Sequence, residues 1–215
     1  MSDLHEKAAN RLSRILAEHG LDPLSCDLAR AFEDYLILLV RWNARVNLTA
    51  IRNEEGILLR HFVESIACAR LLPSGIASLL DFGSGAGFPG IPIALCRPEI
   101  VVTLAESQGK KAAFLSEAVR VLGVNAKVHS GRAEVLCNVF DCVCLRAVDK
   151  MSEAVQVAAR LVRPDGWLAL MTTGKDLSML KTAIDPVFCW QKEIYLPDGE
   201  DKLLVIGARA ISSPA

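Results

Sequence analysis

The stretch Asp81-Phe82-Gly83-Ser84-Gly85-Ala86-Gly87-Phe88-Pro89-Gly90 constrains the fold of this chain more than any other. It follows a short apolar run, Ser78–Phe82, that reads as a strand, and it opens a helical stretch at 90–96. Glycines admit positive φ and let a ligand approach the main chain closely. In a strand–loop–helix unit such a loop lies at the carboxyl end of a parallel sheet, at the switch point where ligands bind. Glu106 ends the next predicted strand, 19 positions beyond Gly87. A carboxylate there can accept hydrogen bonds from both hydroxyls of a ribose.

A turn of purely structural purpose does not account for three alternating glycines together with the downstream acid, whereas a nucleoside site does. Two nucleoside cofactors compete. The nicotinamide fingerprint is G-x-G-x-x-G. Here the spacing is G-x-G-x-G, with Gly90 three residues further on. Asp81 at the start of the loop and a predicted hairpin at the end of the chain favour S-adenosyl-L-methionine as a methyl donor.

The rest of the chain after residue 72 supplies the parallel sheet. Further strands are predicted at Ile100–Ala105, Ala126–His129, Asp141–Leu145, Trp167–Thr172, Val187–Ile194 and Lys202–Ala208. Helices are predicted at 109–122, 149–162 and 175–184. This alternation implies a Rossmann-like α/β fold, a doubly wound and mostly parallel sheet of seven strands. The last two strands have no helix between them, and Pro197-Asp198-Gly199 supplies a turn, so they read as an antiparallel hairpin. Residues 1–72 have a different texture. Leu4, Ala8, Leu12, Ile15 and Leu16 form one helical stripe, stopped at Gly20. Leu28, Phe32, Tyr35, Leu36 and Leu39 form a second after Ser25, and a third helix follows Asn53 with Ile57, Leu58, Phe62, Ile66 and Leu71. The expected organisation is a helical extension, 1–72, packed on a core of 73–215.

Composition narrows the function classes. The chain has 215 residues, 52% hydrophobic, with 24 basic and 25 acidic side chains and a formal net charge of −1. That balance excludes a basic nucleic-acid tail and an acidic disordered chain, while leaving room for a local basic face. Seven cysteines with no CxxC pair argue against a disulfide framework and a zinc ribbon, so no metal is expected. MSDLHEKAANR lacks the apolar segment of a secretory signal, and apolar runs such as Leu36–Val40 fall far short of a membrane span. A cytoplasmic protein without a membrane anchor is expected.

Several blocks then resemble one family, the ribosomal RNA small subunit methyltransferase G family, also called glucose-inhibited division protein B. Arg41-Trp42-Asn43 with Asn47-Leu48-Thr49 is similar to its N-terminal signature, and His61-Phe62-Val63-Glu64-Ser65 to its next block. DFGSGAGFPGIP, Asp81 to Pro92, resembles its methyl-donor loop almost letter for letter, and Glu106-Ser107-Gln108-Gly109-Lys110-Lys111 and Arg146-Ala147 also match. The resemblance covers about residues 25–210. It implies a class I methyltransferase that transfers a methyl group from S-adenosyl-L-methionine to N7 of guanosine 527 in the 530 loop of 16S rRNA, within the small ribosomal subunit or its precursor. It implies donor contacts at Gly83, Gly85, Gly87, Phe88, Ala133, Glu134 and Arg146, with Glu106 on the ribose and Ala133-Glu134 beside the adenine. The chain departs from the family at Glu64 and Glu106, where Asp is usual. Met171 and Asp201 stand where Lys and Arg are usual, and a basic C-terminal tail is missing.

Cys142 or Cys144 could serve a cytosine-5 methyltransferase as nucleophile. That chemistry comes with a Pro-Cys pair at this strand end, which is absent, and alternating cysteines in an apolar strand suit a core. The Asn/Asp-Pro-Pro-aromatic motif of amino-group methyltransferases is absent too, and Leu145-Arg146-Ala147 stands in its place, which favours a ring nitrogen as acceptor. No general base is then needed, and Arg146 is expected to position donor or RNA. His61 reads as packing or capping between helices. Arg41, Arg45, Arg52 and Arg60 can form a basic face beside Trp42, and Lys110 and Lys111 can meet phosphate or only solvent. Two other classes stay open on the residues alone: a nicotinamide-dependent oxidoreductase and a non-catalytic ribosome-binding module.

Overall fold

The structure is a computed structural model that describes residues 2–191, 193–197 and 201–210, with side chains from residue 9 onward. The predicted turn residues Asp198 and Gly199, the tail 211–215 and the side chains of Leu4 and Ala8 lie outside the described residues.

The N-terminal layer begins with α1 (Ser2–Glu18) and α2 (Cys26–Asn43). Ser25 caps α2 as expected, its hydroxyl accepting the Leu28 N–H at 3.3 Å. The predicted third helix is three segments: α3 (Glu54–Ile57), a π-helical turn at Leu58–Val63, and α4 (Glu64–Leu71). Asn53 caps the first of them through Gly56 N–H at 2.6 Å. Wide turns of this kind recur at functional sites because they re-aim side chains; this one carries His61.

The sheet contains β1 (Ser78–Phe82), β2 (Val101–Glu106), β3 (Ala126–Ser130), β4 (Phe140–Arg146), β5 (Val162–Thr173), β6 (Phe188–Trp190), β7 (Ile194–Tyr195) and β8 (Lys202–Arg209). Its helices are α5 (Gly90–Cys96), α6 (Gly109–Leu122), α7 (Met151–Leu161) and α8 (Gly174–Ile184). The order is β3-β2-β1-β4-β5-β8-β6, with β7 also on β8. The first five strands pair in parallel, and β8 runs antiparallel to β5, β6 and β7. The switch point of the winding therefore lies between β1 and β4, above the glycine loop.

Two expectations are corrected. The single strand predicted at Val187–Ile194 is two, which makes eight strands among the described residues. Trp190 pairs with Gly207 and Ile194 with Leu204, so four steps on one side face three on β8, and the extra residue is a bulge that divides the strand. The fifth strand starts at Val162, five residues earlier than predicted, because a register shift between Phe140 and Cys142 accommodates the Pro164-Asp165-Gly166 bend, with Asp165 at φ 60°.

Side-chain alternation assigns the two faces of the sheet. Leu79, Cys142, Cys144, Ala169 and Met171 belong to one apolar cluster, continuous with Phe32, Tyr35, Phe62, Ile91 and Phe114 from the helices on that face. Leu80, Val143, Leu145, Leu168 and Leu170 face the other way, onto Val155, Ala158 and Leu180 of α7 and α8. Met171, where the family usually has a cation, is thus a core residue here. Asp201 instead accepts the Gly174 N–H at 3.1 Å, and so caps α8.

Candidate active site

The carboxyl ends of β1, β2 and β4 open into a cleft with a cavity volume of about 790 Å³. Its walls bring together Gly83, Gly85, Phe88, Glu106, Ala133, Glu134, Arg146 and Lys111, which lie far apart in sequence. Gly87 is not among the lining residues. Its backbone sits at φ +92°, and a Cβ there would lie 2.6 Å from Ile91 and 2.7 Å from the Tyr35 hydroxyl, so it faces the protein. Gly85, at φ +57°, is the opposite case. Within 4 Å its Cβ would meet only the Gly83 carbonyl, at 3.9 Å, which leaves the bare main chain open to the cleft. A nucleoside cofactor needs such a cradle, and a branched side chain would fill it.

Glu106 anchors the loop from β2. One carboxylate oxygen accepts the Gly85 N–H at 2.9 Å and the other accepts the Gln108 N–H at 2.7 Å. Each oxygen has a further lone pair, and Glu106 lines the cleft, so the group can also accept two ribose hydroxyls. Beneath the loop, buried Asp81 accepts the Gly90 N–H at 3.1 Å. Burial pushes its carboxyl up to about 7. Gly90 itself must lack a side chain, since a Cβ would lie 2.5 Å from that carboxylate.

The third wall comes from the N-terminal layer. His61 stacks on Phe88, centroids 4.6 Å apart, and its Nε2 lies 2.8 Å from the Thr49 hydroxyl. Burial, with the charge of Arg146 nearby, pulls its pKa down to about 3, so the ring is neutral. His61 therefore packs, as predicted, but it packs as a lining residue of the cleft. Arg146, at the end of β4, donates to the Arg60 carbonyl and to Glu64 Oε2 at 2.7 Å. Its side chain is only 12% exposed, so the surface-arginine reading fails. Glu64, 1% exposed, also takes Lys202 Nζ at 2.5 Å on its other oxygen. Burial pushes the Glu64 carboxyl up, while the two cations pull it back. The sequence pattern singled out neither Tyr35, Lys202 nor the role of Glu64 as the link between them and Arg146. An acid in an otherwise apolar helix was the available signal.

The expected basic residues are divided. Lys111 lines the cleft, at the start of α6. Arg41 and Arg45 line a separate depression with Trp42, Val46 and Glu117. There Glu117 binds Arg41 at 2.5 Å and the Trp42 indole N–H at 2.8 Å. Cys142 and Cys144 are fully buried. Thiol–thiol hydrogen bonding and burial hold Cys68 and Cys144 protonated, well above the ordinary thiol range. Among the described residues no three His, Cys, Asp or Glu gather to hold a metal ion, and no helix is long and apolar enough to cross a membrane.

Comparison with known proteins bears on this arrangement. The family described as rRNA small subunit methyltransferase G matches residues 28–191. The chain is 44% identical over 159 residues to a ribosomal RNA small subunit methyltransferase G of Xanthomonas oryzae pv. oryzae, covering 72% of this chain and 74% of the relative. It is 44% identical over 171 residues to that of Stenotrophomonas maltophilia, covering 78% of each. Among solved structures, a predicted O-methyltransferase from Agrobacterium tumefaciens superposes with a TM-score of 0.59 at 17% identity, over 69% of this chain and 81% of that one. The likeness in fold thus extends to methyltransferases of low sequence identity.

Proposed function

The chain belongs to the rRNA small subunit methyltransferase G family, and from that premise we propose that it methylates N7 of guanosine 527 in the 530 loop of 16S rRNA, with S-adenosyl-L-methionine as donor. Methylation of rRNA is the activity of the family. The nicotinamide oxidoreductase and the non-catalytic binding module are set aside with it. The observation that carries the donor assignment is the open main chain of Gly85 beside the Glu106 carboxylate. The donor supplies a methyl group already activated on a sulfonium. Gly83 and Gly85 would receive its backbone-facing edge, Glu106 the ribose, and Ala133 with Glu134 the adenine. Gly87 supports the loop from behind. Arg146, held by Glu64, positions donor or RNA; it does not take a proton.

The choice of a ring nitrogen rests on which groups the cleft does and does not offer. Guanine N7 has an in-plane lone pair and no proton to lose at neutral pH. Cytosine C5 needs a thiolate partner, yet Cys142 and Cys144 lie inside the core. His61 is neutral and stays so down to about pH 3, but its ring is clasped between Phe88 and Thr49. An N7 acceptor asks nothing of these groups, nor of the carboxylates Glu134, Asp149 and Glu153 that also line the cleft; its methylation needs only alignment of acceptor and donor, and exclusion of water. Asp81, which titrates near 7, lies beneath the loop and acts on donor binding, so at saturating donor single-turnover methyl transfer to 16S rRNA should be nearly flat between about pH 6.5 and 9, without the bell of acid–base catalysis. Cys142→Ser and Cys144→Ser should each keep most activity. A rate that climbs tenfold per pH unit, or a dead serine variant that is still folded, would point to another acceptor atom.

A further inference from the structure

We propose that Tyr35, on the N-terminal helix α2, is a positioning residue for methyl-donor binding, so that the helical layer completes the donor site. The proposal rests on the donor reading given above. Tyr35 is fully buried, and its hydroxyl donates to the Ala86 carbonyl at 2.5 Å, across 51 positions of sequence. Ala86 is the residue between Gly85 and Gly87, in the middle of the loop. A buried tyrosine hydroxyl needs an acceptor somewhere. Here the acceptor is not a helix end or a side chain but the very peptide that shapes the cradle.

The loop is held from two sides. Glu106 fixes the Gly85 N–H from the sheet, and Tyr35 fixes the Ala86 carbonyl from the helical layer. The same peptide unit carries the Gly87 N–H, which donates to the Ser84 carbonyl at 2.7 Å. The orientation of that plane is therefore set at both ends. The absence of a side chain at Gly87 is what admits the tyrosine hydroxyl, since a Cβ would lie 2.7 Å from it. The ring has no freedom to withdraw. It stacks on Phe62, centroids 5.2 Å apart and planes 6° from parallel, and it touches Phe88 at 5.3 Å and Phe114 at 6.5 Å. Phe62 and Phe88 are themselves in contact at 5.7 Å, and Phe88 carries His61. The aromatic stack thus runs from the inside of the helical layer to the wall of the cleft. Without the hydroxyl, the Ala86 carbonyl would be left buried and unpaired, and the loop would gain a rotation of this peptide that the donor must then freeze.

The test compares Tyr35→Phe, which keeps the ring and removes the bond, with Phe32→Leu. Phe32 is equally buried in the helical layer and packs on Phe62 at 5.4 Å without reaching the loop. Titration calorimetry with S-adenosyl-L-methionine, well below both melting midpoints, should give Tyr35→Phe a Kd about tenfold above wild type, the order expected for one buried hydrogen bond. Its single-turnover rate at saturating donor should stay within about twofold of wild type on the same scale. Phe32→Leu should keep the wild-type Kd even though it melts lower. Amide hydrogen exchange of the ligand-free protein reads the loop directly: Gly85, Gly87 and Phe88 should exchange faster in Tyr35→Phe and not in Phe32→Leu. A Tyr35→Phe variant with wild-type Kd, or a Phe32→Leu variant that weakens donor binding as much, would overturn the proposal while leaving the donor reading intact. A wild-type protein that binds no donor, with exchange still faster in Tyr35→Phe, would overturn the donor reading and this role with it.

Discussion

At the scale of single residues, the cleft is governed by what burial does to a few polar side chains. Glu106 combines two main-chain hydrogen bonds with two free lone pairs, so its loss acts on the loop and on the ribose together. Glu106→Ala should weaken donor binding by about 1.5–3 kcal/mol, the range for hydrogen bonds to a charged group, and Glu106→Asp should cost far less. Calorimetry that finds the alanine variant unimpaired would remove the carboxylate from the site. His61 and Asp81 make a second, opposed pair. The folded pKa of His61, about 3, lies below its unfolded value. Acidification from pH 7 to 5 therefore protonates the unfolded chain first and costs stability. The folded pKa of Asp81, about 7, lies above its unfolded value, so the same acidification protonates the native state first and adds stability. Each change is worth about 2 kcal/mol over that window, at 1.36 kcal/mol per unit, and in the wild type they largely cancel. Relative to wild type, His61→Gln should gain about 2 kcal/mol between pH 7 and 5 and Asp81→Asn should lose about as much. Denaturant unfolding at the two pH values measures both, and slopes of the same sign would show that one of the two groups titrates normally.

At the scale of elements, the α2–α6 face needs revision from its reading as a row of arginines. Arg41 already has a partner in Glu117, whereas Arg45, Lys110 and Lys111 bind no acidic side chain among the described residues. Removing Arg45 and Lys111 together should lower the logarithmic salt slope of rRNA binding by about 2, at roughly one per phosphate contact, while Arg41→Ala should lower it by clearly less than one. Filter binding across a salt series decides it; an unchanged slope in the double variant means that RNA approaches elsewhere. The same elements show what a linear reading can reach. The strands β1, β2, β4 and β8, the helices α5 and α6, the cap Ser25 and the helix start after Asn53 were legible, because each depends on local periodicity or on a capping side chain beside its own helix. The glycine loop and Glu106 were legible because the spacing within one strand–helix–strand unit fixes their meeting. The bulge that divides β6 from β7 depends on a mismatch with β8, and the π turn at Leu58–Val63 sits inside a continuous helical stripe, so neither leaves a local signature. Tyr35 read only as part of an apolar stripe, and the triad of Glu64, Arg146 and Lys202 joins three elements that only the fold brings together.

At the scale of the molecule, the helical layer and the sheet share one apolar cluster that runs from Phe32 and Tyr35 to Ile91 and Phe114. A chain beginning at residue 73 would uncover Phe88, Ile91 and Phe114 and would lose the acceptor pairing of Ala86 and the partner of Arg146. Such a fragment should aggregate or unfold without a cooperative transition, by size-exclusion chromatography and calorimetry. A monomeric fragment that melts cooperatively and binds donor with the full-length Kd would show that the two parts are independent. 16S rRNA from a strain that lacks this gene would be digested and mapped by mass spectrometry, beside rRNA from the same strain carrying the wild-type gene or Gly85→Val. A single methyl group on guanosine 527, at N7, is the predicted result with the wild-type gene, absent both from the deletion strain and with Gly85→Val. Methylation at N7 of guanosine 527 that persists in the deletion strain, or a methyl group that appears on another nucleotide, would contradict it.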